Sequence, residues 1–136
     1  MSTPETARAD FDAHCDIIEA AYEFFLAYAS QGLPSDQDSA TGREVREYLT
    51  RCDAALNQLG TASATLVERV GFDPEPYRGF LDVIARDARD ASAAIRVVLA
   101  QPAISSQLVD NLNASIHLRA LLTDLFLIDE ALKVRR

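Results

Sequence analysis

Two long segments of the chain carry apolar or small residues at alternating steps of four and three. This spacing places all members of a set on one side of an α-helix. Each segment is therefore predicted to form an amphipathic helix with one buried stripe and one wet face. Strand periodicity does not run over any useful length. The two sets are Val45, Leu49, Cys52, Leu56, Leu59, Ser63, Leu66 and Val70, followed by Tyr77, Leu81, Ile84, Ala88, Ala91, Ile95 and Val98.

Turn-forming residues divide the chain into four helical segments. Gly32 and Gly71 can take the left-handed conformation that ends a helix. Ser35 and Ser105 suit the N-cap positions of the helices that follow. Short connections between long helices make neighbours run in opposite directions, so we predict an all-α single domain over 1–136, an antiparallel up-down-up-down four-helix bundle. The predicted helices are approximately 3–31, 36–70, 74–100 and 105–134.

The charge balance limits the kinds of partner that this chain can have. Its 136 residues carry a formal net charge of -8 and a pI of about 4.6. Sequence-independent binding to nucleic acid or to anionic membranes needs surplus Lys and Arg, so we expect neither partner. No apolar run approaches a membrane span, and the first residues do not resemble a secretory signal. We therefore expect a cytoplasmic protein.

The first helix contains a histidine next to a cysteine, His14 and Cys15, within the stretch FDAHCDIIEAAYEFFLAY. At 100° per residue, both fall on or beside the apolar arc of the helix. Four acids fall on the opposite, narrow stripe: Asp12, Asp16, Glu19 and Glu23. The pattern favours a bundle interior. Because Cys52 on the next helix has a similar height, a ligand or metal sensor using His14, Cys15 and Cys52 is kept as an alternative.

The last predicted helix is apolar on two sides. Its core seam is formed by Leu118, Leu121, Leu122, Leu125, Ile128 and Leu132. The second side is predicted to be a protein interface and comprises Val109, Leu112, Ile116, Leu127 and Val134. Such a surface would close a homodimer or dock on a larger complex, because monomers seldom expose apolar patches. Alternatively, another helix of the same molecule covers this side.

Motifs that carry catalytic or cofactor chemistry are missing from the sequence. No Glu-x-x-His pair, CxxCH, HExxH or glycine-rich phosphate loop occurs, so we expect no cofactor, no metal and no enzymatic activity. His117 could act as a phosphotransfer histidine on the polar side of the last helix. However, HLRALL departs from the Lys and Gly that follow the histidine in phosphotransfer domains. The leading hypothesis is association with another protein, as an accessory subunit, adaptor, chaperone or inhibitor.

Overall fold

Five α-helices form the protein in the computed structural model, which describes residues 3–37, 39–71 and 73–133. They are α1 (Pro4–Ala29), α2 (Ala40–Arg69), α3 (Glu75–Leu99), α4 (Ser106–Ala114) and α5 (His117–Lys133). These ranges contain no strand, which confirms the predicted all-α class. The first three helices occupy the predicted segments. The expected fourth helix is divided into α4 and α5.

Serine hydroxyls cap the starts of α2 and α4, with one change from the sequence prediction. Ser105 caps α4 as expected, because its hydroxyl accepts a 3.0 Å hydrogen bond from the backbone N–H of Leu108. Ser35 does not cap α2, since its hydroxyl instead accepts from the N–H of Gln37 within a turn. The cap is Ser39, so α2 begins at Ala40 rather than near 36.

The predicted single helix over 105–134 was wrong, because the chain breaks between α4 and α5. Ile116 has a φ of 63°, a left-handed conformation that costs a β-branched residue about 1–3 kcal/mol. Ser115 ends α4 by donating its hydroxyl to the carbonyl of Leu112 at 2.6 Å. Buried Leu112 and Leu118 hold the chain in the core on either side of the break. Packing on both sides therefore fixes a strained residue where no glycine or proline marks a turn.

This break explains the two apolar sides of the last segment. Val109 and Leu112 are buried on the core side of α4, whereas α5 buries the seam that contains Leu118 and Leu125. A continuous helix could not turn both sets toward the core. The change of direction at Ile116 allows it.

Most members of the predicted seams of α2 and α3 are buried, and those nearest the connection between the two helices are half-buried. Gly60 lies against Ala85, and Asp53 accepts a hydrogen bond from the hydroxyl of Ser92. A later residue of α2 thus meets an earlier residue of α3, so these two helices run in opposite directions. Residues from all five helices join one hydrophobic core. None of the helices in the described ranges combines the length and apolar character that a bilayer span requires.

A buried polar network ties the loop after α1 to the loop before α4. The hydroxyl of Tyr28 donates to the carbonyl of Ile104 at 2.7 Å. The carboxylate of Asp36 accepts from the N–H of Ile104 at 2.7 Å and from Nε of Arg46 at 2.6 Å. Burial alone would raise the pKa of Asp36, but these hydrogen bonds outweigh it and lower the pKa. The network fixes one end of the molecule and so the positions of the helices that leave it.

Candidate functional site

An open groove runs between α1 and α5. It consists of two depressions, of about 330 and 300 Å³, which adjoin because Glu19 and Phe126 line both. We call it the α1–α5 groove. Its apolar part comes from Phe11, Cys15, Tyr22, Leu122, Leu125 and Phe126. The groove is therefore built by two helices that are far apart in sequence and meet only in the folded chain.

One wall of the groove is acidic. Asp12, Asp16, Glu19 and Glu23 follow one another along α1, and we call them the acidic row. Burial raises the pKa of the Glu19 carboxyl, and the charges of Asp16, Glu23 and Asp129 raise it further. A like-charge cluster of this kind disfavours its own ionised state, and a cation would relieve it.

Cations line both ends of the groove, since Arg8 and Lys133 lie in the first depression and Arg119 lies in the second. Arg8 forms ion pairs with Asp12 and with Asp129, and Nζ of Lys133 lies 3.0 Å from Asp129. Within the described residues, the other three members of the acidic row have no ion pair. Negative charge therefore exceeds positive charge in the groove, because five acids and three cations are among its lining residues.

Phe126 is the side chain that most distinguishes the groove from an ordinary surface. It belongs to α5 and its side chain lines both depressions of the groove, yet it is 57% exposed. Sequence reasoning did not select it. Its only signal was a position between the core residues Leu125 and Ile128, where a helical wheel places it at the margin of the seam.

The five residues predicted as an interface do not form one surface. Val109 and Leu112 are buried in the chain's own core, so the predicted patch is corrected by removing them. Ile116 and Leu127 are 58% and 59% exposed and remain available to a partner. Val134 lies outside the described residues. Val109 and Leu112 are buried because the chain changes direction before α5, which turns these α4 residues toward the core.

The environment of His14, Cys15 and Cys52 works against a metal or redox site. Nε2 of His14 lies 3.5 Å from Asp10, while Cys52 is fully buried. Burial, with a smaller contribution from nearby acids, raises the pKa of each thiol to about 12, which disfavours the thiolate that metal binding needs. Both thiols are free. No cluster of three or more potential ligands with metal-site geometry occurs in the described part of the chain.

The acids of α1 lie closer to Cys15 than the helical wheel suggested. The charges of Asp12, Glu19 and Asp16 act on the Cys15 thiol, and all three line the groove beside it. The wheel placed them on the opposite stripe. Residues at the boundary of two stripes can share a groove because their side chains reach sideways around the helix.

His117 begins α5 and is exposed. Two polar side chains of the same predicted helix, Asn113 and Asp124, are directed away from it. Nδ2 of Asn113 donates to the carbonyl of Phe25, and Asp124 shares a side-chain hydrogen bond with Asp87 of α3. The break at Ile116 separates His117 from the polar face of α4.

Two carboxyls meet where α5 packs on α3. Burial, together with the hydrogen bond and the negative charge of Asp87, raises the pKa of Asp124 to about 7. One oxygen, Oδ2 of Asp124, is buried without a hydrogen-bond partner among the described residues. These surroundings favour the protonated form of Asp124, which can donate a hydrogen bond to Asp87.

Taken together, the exposed chemistry suits non-covalent binding. The α1–α5 groove offers an exposed ring, an apolar floor and an anionic wall, and none of these supplies a nucleophile paired with a base. No protein-family model, curated protein or solved structure matches this chain.

Proposed function

We propose that this chain is a non-enzymatic binding module that acts by docking on another protein through the α1–α5 groove. Accessory subunit, adaptor, chaperone and inhibitor are all forms of that activity. The up-down-up-down arrangement predicted from the sequence is kept in the proposal, with α4 and α5 together as the last rod. The observation that carries the proposal is the exposure of Phe126 inside a groove.

Covering Phe126 would contribute strongly to binding. Full burial of a phenylalanine side chain is worth about 1.5–3 kcal/mol, and more than half of this side chain is still in water. Aromatic anchors seated in pockets are typical centres of protein interfaces. Leu127 follows directly on α5 and projects about 100° away. A partner that covers the groove and wraps outward could therefore bury both.

Charge favours a different protein over a second copy as the occupant of the groove. In a two-fold symmetric dimer each surface patch meets itself or its own surroundings. The acidic row would then face another acidic row, in a chain whose formal net charge is -8. Like charges placed opposite each other disfavour such a complex. The homodimer predicted from the sequence is the second form of the proposal, and the exposed Ile116 and Leu127 support it.

Site-specific photo-crosslinking in cells that normally make the protein tests the proposal. A photoreactive phenylalanine derivative replaces Phe126 in one variant and Val97 in the control. Val97 is 62% exposed on α3, away from the groove. We expect a discrete adduct with one other protein from position 126 and none from position 97. Equal adduct patterns, or no adduct from position 126, would contradict docking at the groove.

Sedimentation velocity separates the two forms. Leu127→Glu removes an exposed apolar side chain without disturbing the core, and Val97→Glu is its matched control on α3. A homodimer that uses the outer face of α5 dissociates only in the first variant. If wild type and both variants sediment as the same monomer, self-association is excluded and the partner is a different protein.

A further inference from the structure

We propose that the occupant of the α1–α5 groove is a basic amphipathic helix supplied by a partner protein. This inference rests on the proposed function and names the chemistry of the partner. The occupant presents an apolar stripe to Phe126 and places Lys or Arg residues against the acidic row.

The shape of the groove suits a helix. Two packed helices leave between them a furrow into which a third can lie, and binding of an amphipathic helix in an apolar groove is a recurrent mode of recognition. The acidic row extends from Asp12 to Glu23, which corresponds to about 16 Å at 1.5 Å per residue. About three turns of a partner helix span that length. Phe126 stands near its middle, because it lines both depressions.

The spacing of the acids specifies where the partner's cations belong. Members of the acidic row follow at steps of four, three and four, so they form one line along α1. A partner helix lying beside α1 presents its own residues at the same steps, and Lys or Arg at those positions would meet the acids in turn. Charge-assisted hydrogen bonds form at such contacts. The charge complementarity would therefore extend over the acids of the row that have no ion pair within the described residues.

Three acids of the acidic row are available to a partner. Arg8 already pairs with Asp12, whereas Asp16, Glu19 and Glu23 have no ion pair within the described residues. Arg119 lines the groove near them but forms no ion pair with them in the described part of the chain, so cations of a partner can still pair with all three acids. Anionic lipid and nucleic acid would meet repulsion at the same place. A cationic peptide segment is the occupant that satisfies both the charge and the apolar floor.

Isothermal titration calorimetry with three synthetic peptides of about 14 residues tests the inference. The probe is a helical Lys/Leu peptide with its leucines on one stripe. The first comparison peptide has the same composition but leucines distributed around the helix, and the second replaces every Lys with Glu. We expect binding of the probe to be at least about tenfold tighter than that of either comparison peptide, because both stripe and charge are required.

Protein variants then locate the binding site of the probe. Phe126→Ala should weaken binding at least about fivefold, as expected for a central aromatic anchor. Replacing Glu19 and Glu23 together by Gln should weaken it about 2- to 20-fold and reduce its salt dependence, given the usual strength of exposed ion pairs. The matched control replaces Asp82 and Asp90, two exposed acids of α3, by Asn. The control changes net charge equally and should leave binding unchanged.

Two results would overturn the inference. Equal binding of the striped and distributed peptides means that no helix stripe is recognised. Equal loss in the α1 and α3 double variants means that only overall charge attracts the probe. Circular dichroism of each variant verifies that these exposed substitutions leave the helices intact.

Different experimental results would refute the basic helix and the proposed docking function. Capture of a partner at position 126 without binding of the Lys/Leu probe leaves protein docking in place and refutes the basic helix. Binding of the probe without a cellular adduct at position 126 refutes the proposed function and leaves the groove's preference for basic helices established.

Discussion

Asp124 makes the stability of this protein depend on pH in a direction opposite to that of most carboxylates. Its pKa is raised from 3.8 to about 7, first by burial and then by the hydrogen bond and charge of Asp87. Between these pH values the unfolded chain releases the Asp124 proton while the folded chain retains it. The contribution to stability is therefore complete below about pH 4 and is lost as the pH rises to about 7.

The size of the effect follows from the same values. A pKa difference from 3.8 to about 7 corresponds to at most about 4 kcal/mol at full effect. Asp124 is only partly buried, so solvent screening reduces this, and we expect about 1–2 kcal/mol. Asp124→Asn keeps a hydrogen-bond donor toward Asp87 but has no proton to release. The variant should exceed wild type by about 1–2 kcal/mol at pH 8 and match it near pH 4.

Urea unfolding followed by circular dichroism between pH 4 and pH 8 measures this prediction. Asp82→Asn is the control, since Asp82 is an exposed acid of the same helix as Asp87. Asp87→Asn should give a smaller gain at pH 8, because it removes the repulsion but leaves the Asp124 carboxyl partly buried, and the double variant should add little to Asp124→Asn. A gain from Asp124→Asn that is equal at pH 4 and pH 8 would refute the raised pKa of Asp124.

Two further predictions concern backbone fit and the buried network, and urea unfolding at pH 7 measures both. Gly79→Ala should stabilise the protein by about 0.5–1 kcal/mol, because a methyl group at this position of α3 would meet open space. Gly42→Ala should destabilise it by about 1–3 kcal/mol, because the added methyl group would overlap the Asp36 carbonyl. Equal effects of the two substitutions on the free energy of unfolding would contradict these contacts. Tyr28→Phe should cost about 1–2 kcal/mol by leaving the Ile104 carbonyl without its donor, and an unchanged midpoint would show that this hydrogen bond adds nothing.

Some site residues could be anticipated from the sequence and others could not. The exposure of Leu127 agrees with its place on a second apolar face of the last segment. The burial of Val109 and Leu112 could not be anticipated in this way, because the direction of their side chains depends on the break at Ile116. No feature of the sequence marked Phe126 as a binding residue. In a sequence, an aromatic residue beside a core seam looks the same whether a neighbouring helix covers it or leaves it open.

The sequence by itself determined the helical class and the buried stripes of α2 and α3. Steps of four and three act within a single helix, so each stripe is specified by residues only a few positions apart. Leu49, Leu56, Ile84 and Ile95 are all buried as that spacing requires. Only the tertiary structure decided the left-handed turn at Ile116 and the α1–α5 groove. Both depend on contacts between distant segments, because packing on either side of the turn offsets its strain and the groove exists only where two helices meet.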